Sequence, residues 1–351
     1  MKYLNLLRMS LVLSMTIYVA CSNNTTEIED TDTGNGFTLK KNKILGIVGE
    51  SGSGKSVTSL AVLGLLPKNS IQEGTIFFDE KNLLTISNKE FQQIRGNKIA
   101  MIFQEPMSSL NPTLTCGSQV AEVLKQHTDL NKKEIYQEVI SLFQKVKLPL
   151  PDRIFNSYPH QISGGQKQRV MIAIAIACKP DLLIADEPTT ALDVTVQKEI
   201  ILLLKELQKE NKMSILLISH DLSMVSEIAD DVIILFKGKI VEIGNTTDIF
   251  HTPQHDYTKG LINSKPNLNQ RLKKLPTVED FMKNRIFTDI YTKKERDTYH
   301  RKIYGLKPLL EIVDLKKYFN TSVGFTKMSV IKAVDTISFK LYEGETLGLV
   351  G

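Results

Sequence analysis

The chain contains no tryptophan and only three cysteines among its 351 residues. Cys21, Cys116 and Cys178 lie far apart, and no Cys-x-x-Cys pair occurs. That spacing excludes a readable zinc site or disulfide framework and fits idle thiols in a reducing compartment. Charge of one sign is scarce as well. The formal net charge is +5, from 44 Lys and Arg against 39 Asp and Glu. So small an excess gives no argument for nucleic acid, because scattered surface lysines produce the same sum. The remainder is ordinary for a globular protein. With 42% hydrophobic and 24% charged residues, the length suits one large domain or two of average size.

The N-terminus is atypical. "MKYLNLLRMSLVLSMTIYVAC" places Lys2 and Arg8 before an apolar run, Met9 to Ala20, that ends at Cys21. The run is short for a membrane-spanning helix. It resembles a bacterial lipoprotein signal with Cys21 as the lipidated residue, although Tyr18 stands where such signals carry a small aliphatic residue. The alternative is a buried N-terminal helix. The polar stretch "SNNTTEIEDTDTGNG" follows as an expected flexible linker, so residues 1–36 are read as signal-like segment plus linker.

From Phe37 the texture is α/β. "KILGIVG" reads as a buried strand, followed by a helix from about Lys55 to Leu66 that Pro67 stops. "GTIFFDE" and "KIAMIFQEP" read as strands. Residues 115–157 space their apolar positions three and four apart, as helices do. A buried helix starts at Ser163. "DLLIAD" and "MSILLIS" are buried strands with the helix "VQKEIILLLKELQKEN" between them, the signature of a parallel sheet. "VIILFKGKIVEIG" reads as two strands turning at Lys237–Gly238. Residues 245–306 are polar and basic, an extension rather than a core.

"GESGSGKS", Gly49 to Ser56, fits G-x-x-x-x-G-K-[ST] between a strand and a helix. Gly49, Glu50, Ser51, Gly52, Ser53, Gly54 and Val57 would surround phosphates with backbone N–H groups, helped by the helix dipole. Lys55 would reach the β and γ phosphates, and the Ser56 hydroxyl would ligate Mg²⁺. The strand "LLIADE" ends in two carboxylates at the same sheet edge. Asp186 suits Mg²⁺, directly or through water. Glu187 suits a general base for an attacking water.

Between these motifs "SGGQKQR", with Ser163, Gly164, Gly165 and Gln166, resembles the signature of ABC-type ATPases. The resemblance implies a RecA-like parallel-sheet core, a helical subdomain at about 115–165 and an antiparallel β subdomain. It implies ATP and Mg²⁺ as ligands and a signature helix that acts on the opposite subunit's ATP. Gln104 would contact Mg²⁺ and water, Asp193 would lie in the loop at the dimer interface, and His220 would be the switch histidine. "FQEPMSSLNP", "YPHQISGGQKQRVMIAIA", "ADEPTTALDVTVQ" and "HDYTKGLI" resemble the ATP-binding subunits of dipeptide, oligopeptide and nickel importers. Implied partners are a second ATPase domain, transmembrane permease subunits and, indirectly, a substrate-binding protein, with no nucleic acid. The implied place is the cytoplasmic face of the membrane, in conflict with the signal-like start. An iron–sulfur cluster, carried by some relatives, is not expected, because no cysteine follows Cys178.

"FTLKKNKILGIVG" at Phe37–Gly49 aligns without gaps on "FKLYEGETLGLVG" at Phe339–Gly351, 302 residues later. A single repeat at so long a period suggests two copies of one domain. The expected division is an ATPase domain at 37–244, an extension at 245–306 and the opening of a second ATPase domain at 307–351, with "ETLGLVG" as its strand. The first copy lacks its own opening, so its β subdomain is expected to be incomplete. Tyr318 in "DLKKYF" matches the family's adenine-stacking aromatic and would serve the first copy if the C-terminal opening folded back. Two other readings stand beside an importer ATPase: an inactive, rearranged fragment held by a lipid anchor, and a soluble ABC ATPase outside transport.

Overall fold

The computed structural model describes residues 13–20, 36–104, 109–264, 271–283, 285, 287–323 and 327–349. Cys21, the polar linker, Glu105–Ser108 and the final Val350–Gly351 lie outside them. The described residues divide into two compact units. One falls within Met1–Asn263 and Val278–Asn284, the other within Ser264–Thr277 and Arg285–Gly351.

The first unit begins with strands β1 (Leu13–Ala20), β2 (Gly36–Lys40) and β3 (Ile44–Val48), then helix α1 (Lys55–Val62). Next come β4 (Gln72–Phe78), β5 (Lys81–Asn82), α2 (Asn88–Ile94) and β6 (Ile99–Ile102). A helical layer follows, α3 (Cys116–His127), α4 (Lys132–Lys145) and α5 (Pro151–Asn156), leading to α6 (Gly164–Ile176). The rest alternates: β7 (Leu182–Asp186), α7 (Val194–Asn211), β8 (Ser214–Ser219), α8 (Leu222–Ile228), β9 (Asp231–Phe236) and β10 (Lys239–Asn245). Helices α9 (Thr246–His251), α10 (Asp256–Asn263) and α11 (Val278–Met282) complete the unit.

The central sheet has six strands in the order β10-β9-β3-β8-β7-β6, all parallel except β10. Its middle strands are apolar runs because both faces are covered. Alternate residues therefore enter different cores. Ile44, Val48, Leu183, Ala185, Ile215 and Leu217 join the helical side, with Phe143 and Val170. Leu45, Ile47, Ile184 and Ile218 face the other way, toward Phe37, Leu39, Ile76 and Phe78. Lys237 and Gly238 both adopt positive φ, 49° and 78°, at the turn between β9 and β10. That is the twist a two-residue hairpin requires.

Leu13–Ala20 is a strand, lying between β2 and β4 in a four-stranded sheet of order β2-β1-β4-β5 and parallel to both neighbours. This smaller sheet is thus mixed rather than wholly antiparallel, with only β5 running antiparallel to its neighbour β4. Ile17 stands in register with Phe37 and Ile76, and Val19 with Leu39 and Phe78. All four neighbours are buried. The sequence "LSMTIYVA" places an apolar residue at every second position, the period of a strand.

In the second unit Leu272 bridges Ile290, and α12 (Lys293–Tyr304) starts in a capping box between Thr292 and Glu295. Tyr299 donates to the Gly344 carbonyl at 2.8 Å, and Tyr304 to Glu345 at 2.9 Å. Strands β11 (Leu310–Val323) and β12 (Lys327–Leu341) form a two-stranded antiparallel sheet. Over the described part of "ETLGLVG", Glu345–Leu349, there is no regular structure where a strand is expected. Its twin β3 is held between β8 and β9. A short apolar segment without such neighbours gains no ladder of hydrogen bonds.

Candidate active site

The sheet register assembles the site. Val48 at the end of β3 pairs with Ser219, and Asp186 at the end of β7 pairs with Ile218. The phosphate loop, the acidic pair and His220 thus leave the sheet at one carboxyl edge, where ligands bind in parallel α/β sheets.

Glycine is required at particular points of the loop. A Cβ on Gly49 would stand 2.2 Å from the Leu235 carbonyl oxygen. Gly52 and Gly54 hold φ of 81° and 107°, and Gly54 opens α1. Lys55 is 5% exposed, and its ammonium donates to the carbonyls of Gly49 at 2.7 Å and Glu50 at 2.9 Å. Burial pushes its pKa down, while Glu187, Asp186 and Glu50 oppose that shift. The Ser53 hydroxyl is buried in the loop without a hydrogen-bond partner.

Ser56 donates to Asp186 at 3.2 Å. Asp186 is 3% exposed, and burial raises its pKa against the hydrogen bond from Ser56. Glu187 has φ of 46°, a conformation uncommon outside glycine, and its N–H bonds the Ile218 carbonyl. Its carboxylate gathers three side chains. Gln104 donates at 3.2 Å and Thr190 at 3.0 Å, and His220 Nδ1 lies 3.2 Å from the other oxygen. Sequence reasoning missed Thr190, whose only signal is its place three residues after Glu187.

The remaining candidates of the first unit sit at helix starts. Ser163 caps α6 in a capping box with Gln166. Gly164 and Gly165 form its first turn, and a Cβ on Gly165 would meet Val196 at 2.9 Å. Helix α6 therefore approaches the start of α7. Asp193 caps α7, accepting from the Val196 N–H at 2.9 Å. Asp193→Ala removes that cap and lowers stability by about 1 kcal/mol in a urea unfolding curve. Tyr318 lies on β11 in the second unit, where its hydroxyl bonds Asp335.

This arrangement defines a phosphate-loop nucleotide site with an adjacent Ser–Asp pair and a half-buried, hydrogen-bonded carboxylate. The family model described as ABC transporter matches residues 33–190. A second, described as Oligopeptide/dipeptide transporter, C-terminal region, matches residues 241–286. The chain is 51% identical over 235 residues to the dipeptide transport ATP-binding protein DppD of Bacillus subtilis, covering 66% of this chain and 70% of that protein. It is 47% identical to the oligopeptide transport ATP-binding protein AppD of the same organism, over 69% of this chain and 75% of that one. Against the glutathione import ATP-binding protein GsiA of Escherichia coli K12 it is 41% identical and spans 52% of the relative's length. A solved dimeric ATP-binding cassette, in a post-hydrolysis state with ADP and Pi, superposes with a TM-score of 0.54 at 29% identity. The alignment covers 60% of this chain and 88% of that one.

The chain belongs to the ABC transporter family, among the ATP-binding proteins of dipeptide and oligopeptide transport. It is an ABC-type ATPase, and the nucleotide it binds is ATP. No helix among the described residues is long and apolar enough to cross a membrane.

Proposed function

We propose that the protein energises an importer for dipeptides or oligopeptides by hydrolysing ATP at the Gly49–Ser56 site, with Glu187 as the base. The observation that carries this is the carboxylate of Glu187. It is held by Gln104, Thr190 and His220 at the sheet edge that also presents Lys55 and Asp186. Backbone N–H groups of the loop bind the phosphates, and Lys55 supplies the positive charge. A water beside Glu187 is oriented and loses its proton to the carboxylate as it attacks the γ-phosphorus. His220 and Gln104 fix the carboxylate's orientation.

Mg²⁺ fits the donor set, because the Ser56 hydroxyl and Asp186 carboxylate are hard oxygen ligands 3.2 Å apart. Ser56 and Asp186 would hold it, with Gln104 nearby, and the ion would supply charge neutralisation at the phosphates. Ser163, Gly164 and Gly165 at the start of α6 suit the nucleotide of a second ATPase domain, and Asp193 suits the same interface. The dimeric ATP-binding cassette that superposes on this chain supports that pairing. The working place is the cytoplasmic face of the membrane, beside permease subunits.

Purified full-length protein should release phosphate from ATP in a Mg²⁺-dependent reaction, faster when reconstituted with permease subunits and a peptide-loaded binding protein. Absence of release in both preparations would favour the inactive-fragment reading.

A further inference from the structure

We infer that Tyr257 is a positioning residue of the phosphate loop, anchoring through its hydroxyl the peptide plane that holds Lys55. The inference rests on the reading of Gly49–Ser56 as the ATP site. Tyr257 is fully buried in the first turn of α10, 207 residues from its partner. Its hydroxyl oxygen accepts the Glu50 N–H at 2.9 Å. That N–H belongs to the Gly49–Glu50 peptide, whose carbonyl oxygen accepts from the Lys55 ammonium at 2.7 Å. A peptide unit is planar, so its two ends turn together. Rotation of this unit would break the Tyr257 bond and swing away the oxygen that Lys55 grips.

The anchor is itself braced. The Tyr257 ring stacks on Phe236 at the end of β9, with centroids 4.2 Å apart and planes inclined by 34°. The approach to α10 is tied to β10 by Glu242, which accepts from the N–H groups of Gln254 at 2.7 Å and His255 at 3.1 Å. His255 in turn accepts the Tyr257 N–H at 3.1 Å. The segment that follows the sheet therefore reaches back to the nucleotide loop through one hydroxyl. That gives "HDYTKGL" a part in setting ATP affinity as well as in packing.

Tyr257→Phe keeps the ring and removes only the acceptor. In the full chain it should weaken ATP binding and raise KM about fivefold, the worth of one hydrogen bond, with kcat within about twofold of wild type. Its thermal midpoint should fall only by the few degrees that one lost hydrogen bond costs. A merely structural tyrosine lowers the midpoint and leaves KM unchanged, and an unchanged KM overturns the inference. Hydrogen exchange supplies a test that needs no variant. The Glu50 amide should exchange slowly in the nucleotide-free wild-type protein, and rapid exchange would overturn the contact. If wild type binds ATP, Lys55→Ala does not and Tyr257→Phe matches wild type, only this inference fails. If wild type binds no ATP, the ATP-site reading fails, and Glu50 exchange alone decides the Tyr257 contact.

Discussion

Glu187→Gln should bind ATP as wild type does and lose hydrolysis by a factor of about 10²–10⁴, the usual contribution of a positioned general base. The substitution preserves shape and leaves one side-chain oxygen to accept from Gln104 and Thr190, so the surroundings of Lys55 and Ser56 stay in place. What disappears is an oxygen that can take a proton from water. Glu187 touches neither the phosphate loop nor Ser56 by hydrogen bond, whereas Asp186 bonds Ser56 directly. Removing charge at Glu187 should therefore move kcat, with ATP affinity within about threefold of wild type in a filter-binding titration. Unchanged phosphate release would remove Glu187 from its role and leave Asp186 as the remaining carboxylate.

Lys55→Ala should act on binding itself. Lys55 is 5% exposed and is the only basic residue of Gly49–Ser56, so no neighbouring lysine in the loop replaces it. Charge-assisted hydrogen bonds are worth about 1.5–3 kcal/mol each. Loss of one or two predicts ATP affinity weaker by about 10²-fold or more, read by fluorescent-nucleotide titration. The change also strips the Gly49 and Glu50 carbonyls of the donor they share, loosening the loop. Lys55→Arg should not restore full affinity. A planar guanidinium is larger than the compact ammonium that fits between these two carbonyls.

Much of the central sheet was legible because its signals are local. "KILGIVG", "DLLIAD" and "MSILLIS" are short apolar runs, and the structure makes β3, β7 and β8 of them. The phosphate loop and the acidic strand end were readable for the same reason. Errors arose where a distant partner decides. Helix α1 stops at Val62 rather than Leu66, because the chain turns through Gly64 at φ 59° over the Phe91 ring. The strand Leu13–Ala20 hid inside a longer apolar run, and its alternation gains meaning only beside β2 and β4. "ETLGLVG" failed in the opposite direction, having the spelling of β3 without its neighbours. Asp193 carries a helix cap that its motif does not announce, and the destination of the Tyr257 hydroxyl was invisible at a separation of 207 residues.

The most direct test of the central claim is a nucleotide-bound structure of the Glu187→Gln protein with ATP and Mg²⁺. The account predicts phosphates cradled by the backbone of Gly49–Ser56, with the ion between Ser56 and the Asp186 carboxylate. It also predicts the side chain at position 187 facing the γ-phosphate. Nucleotide bound elsewhere, or phosphates out of reach of Lys55 and residue 187, would contradict it.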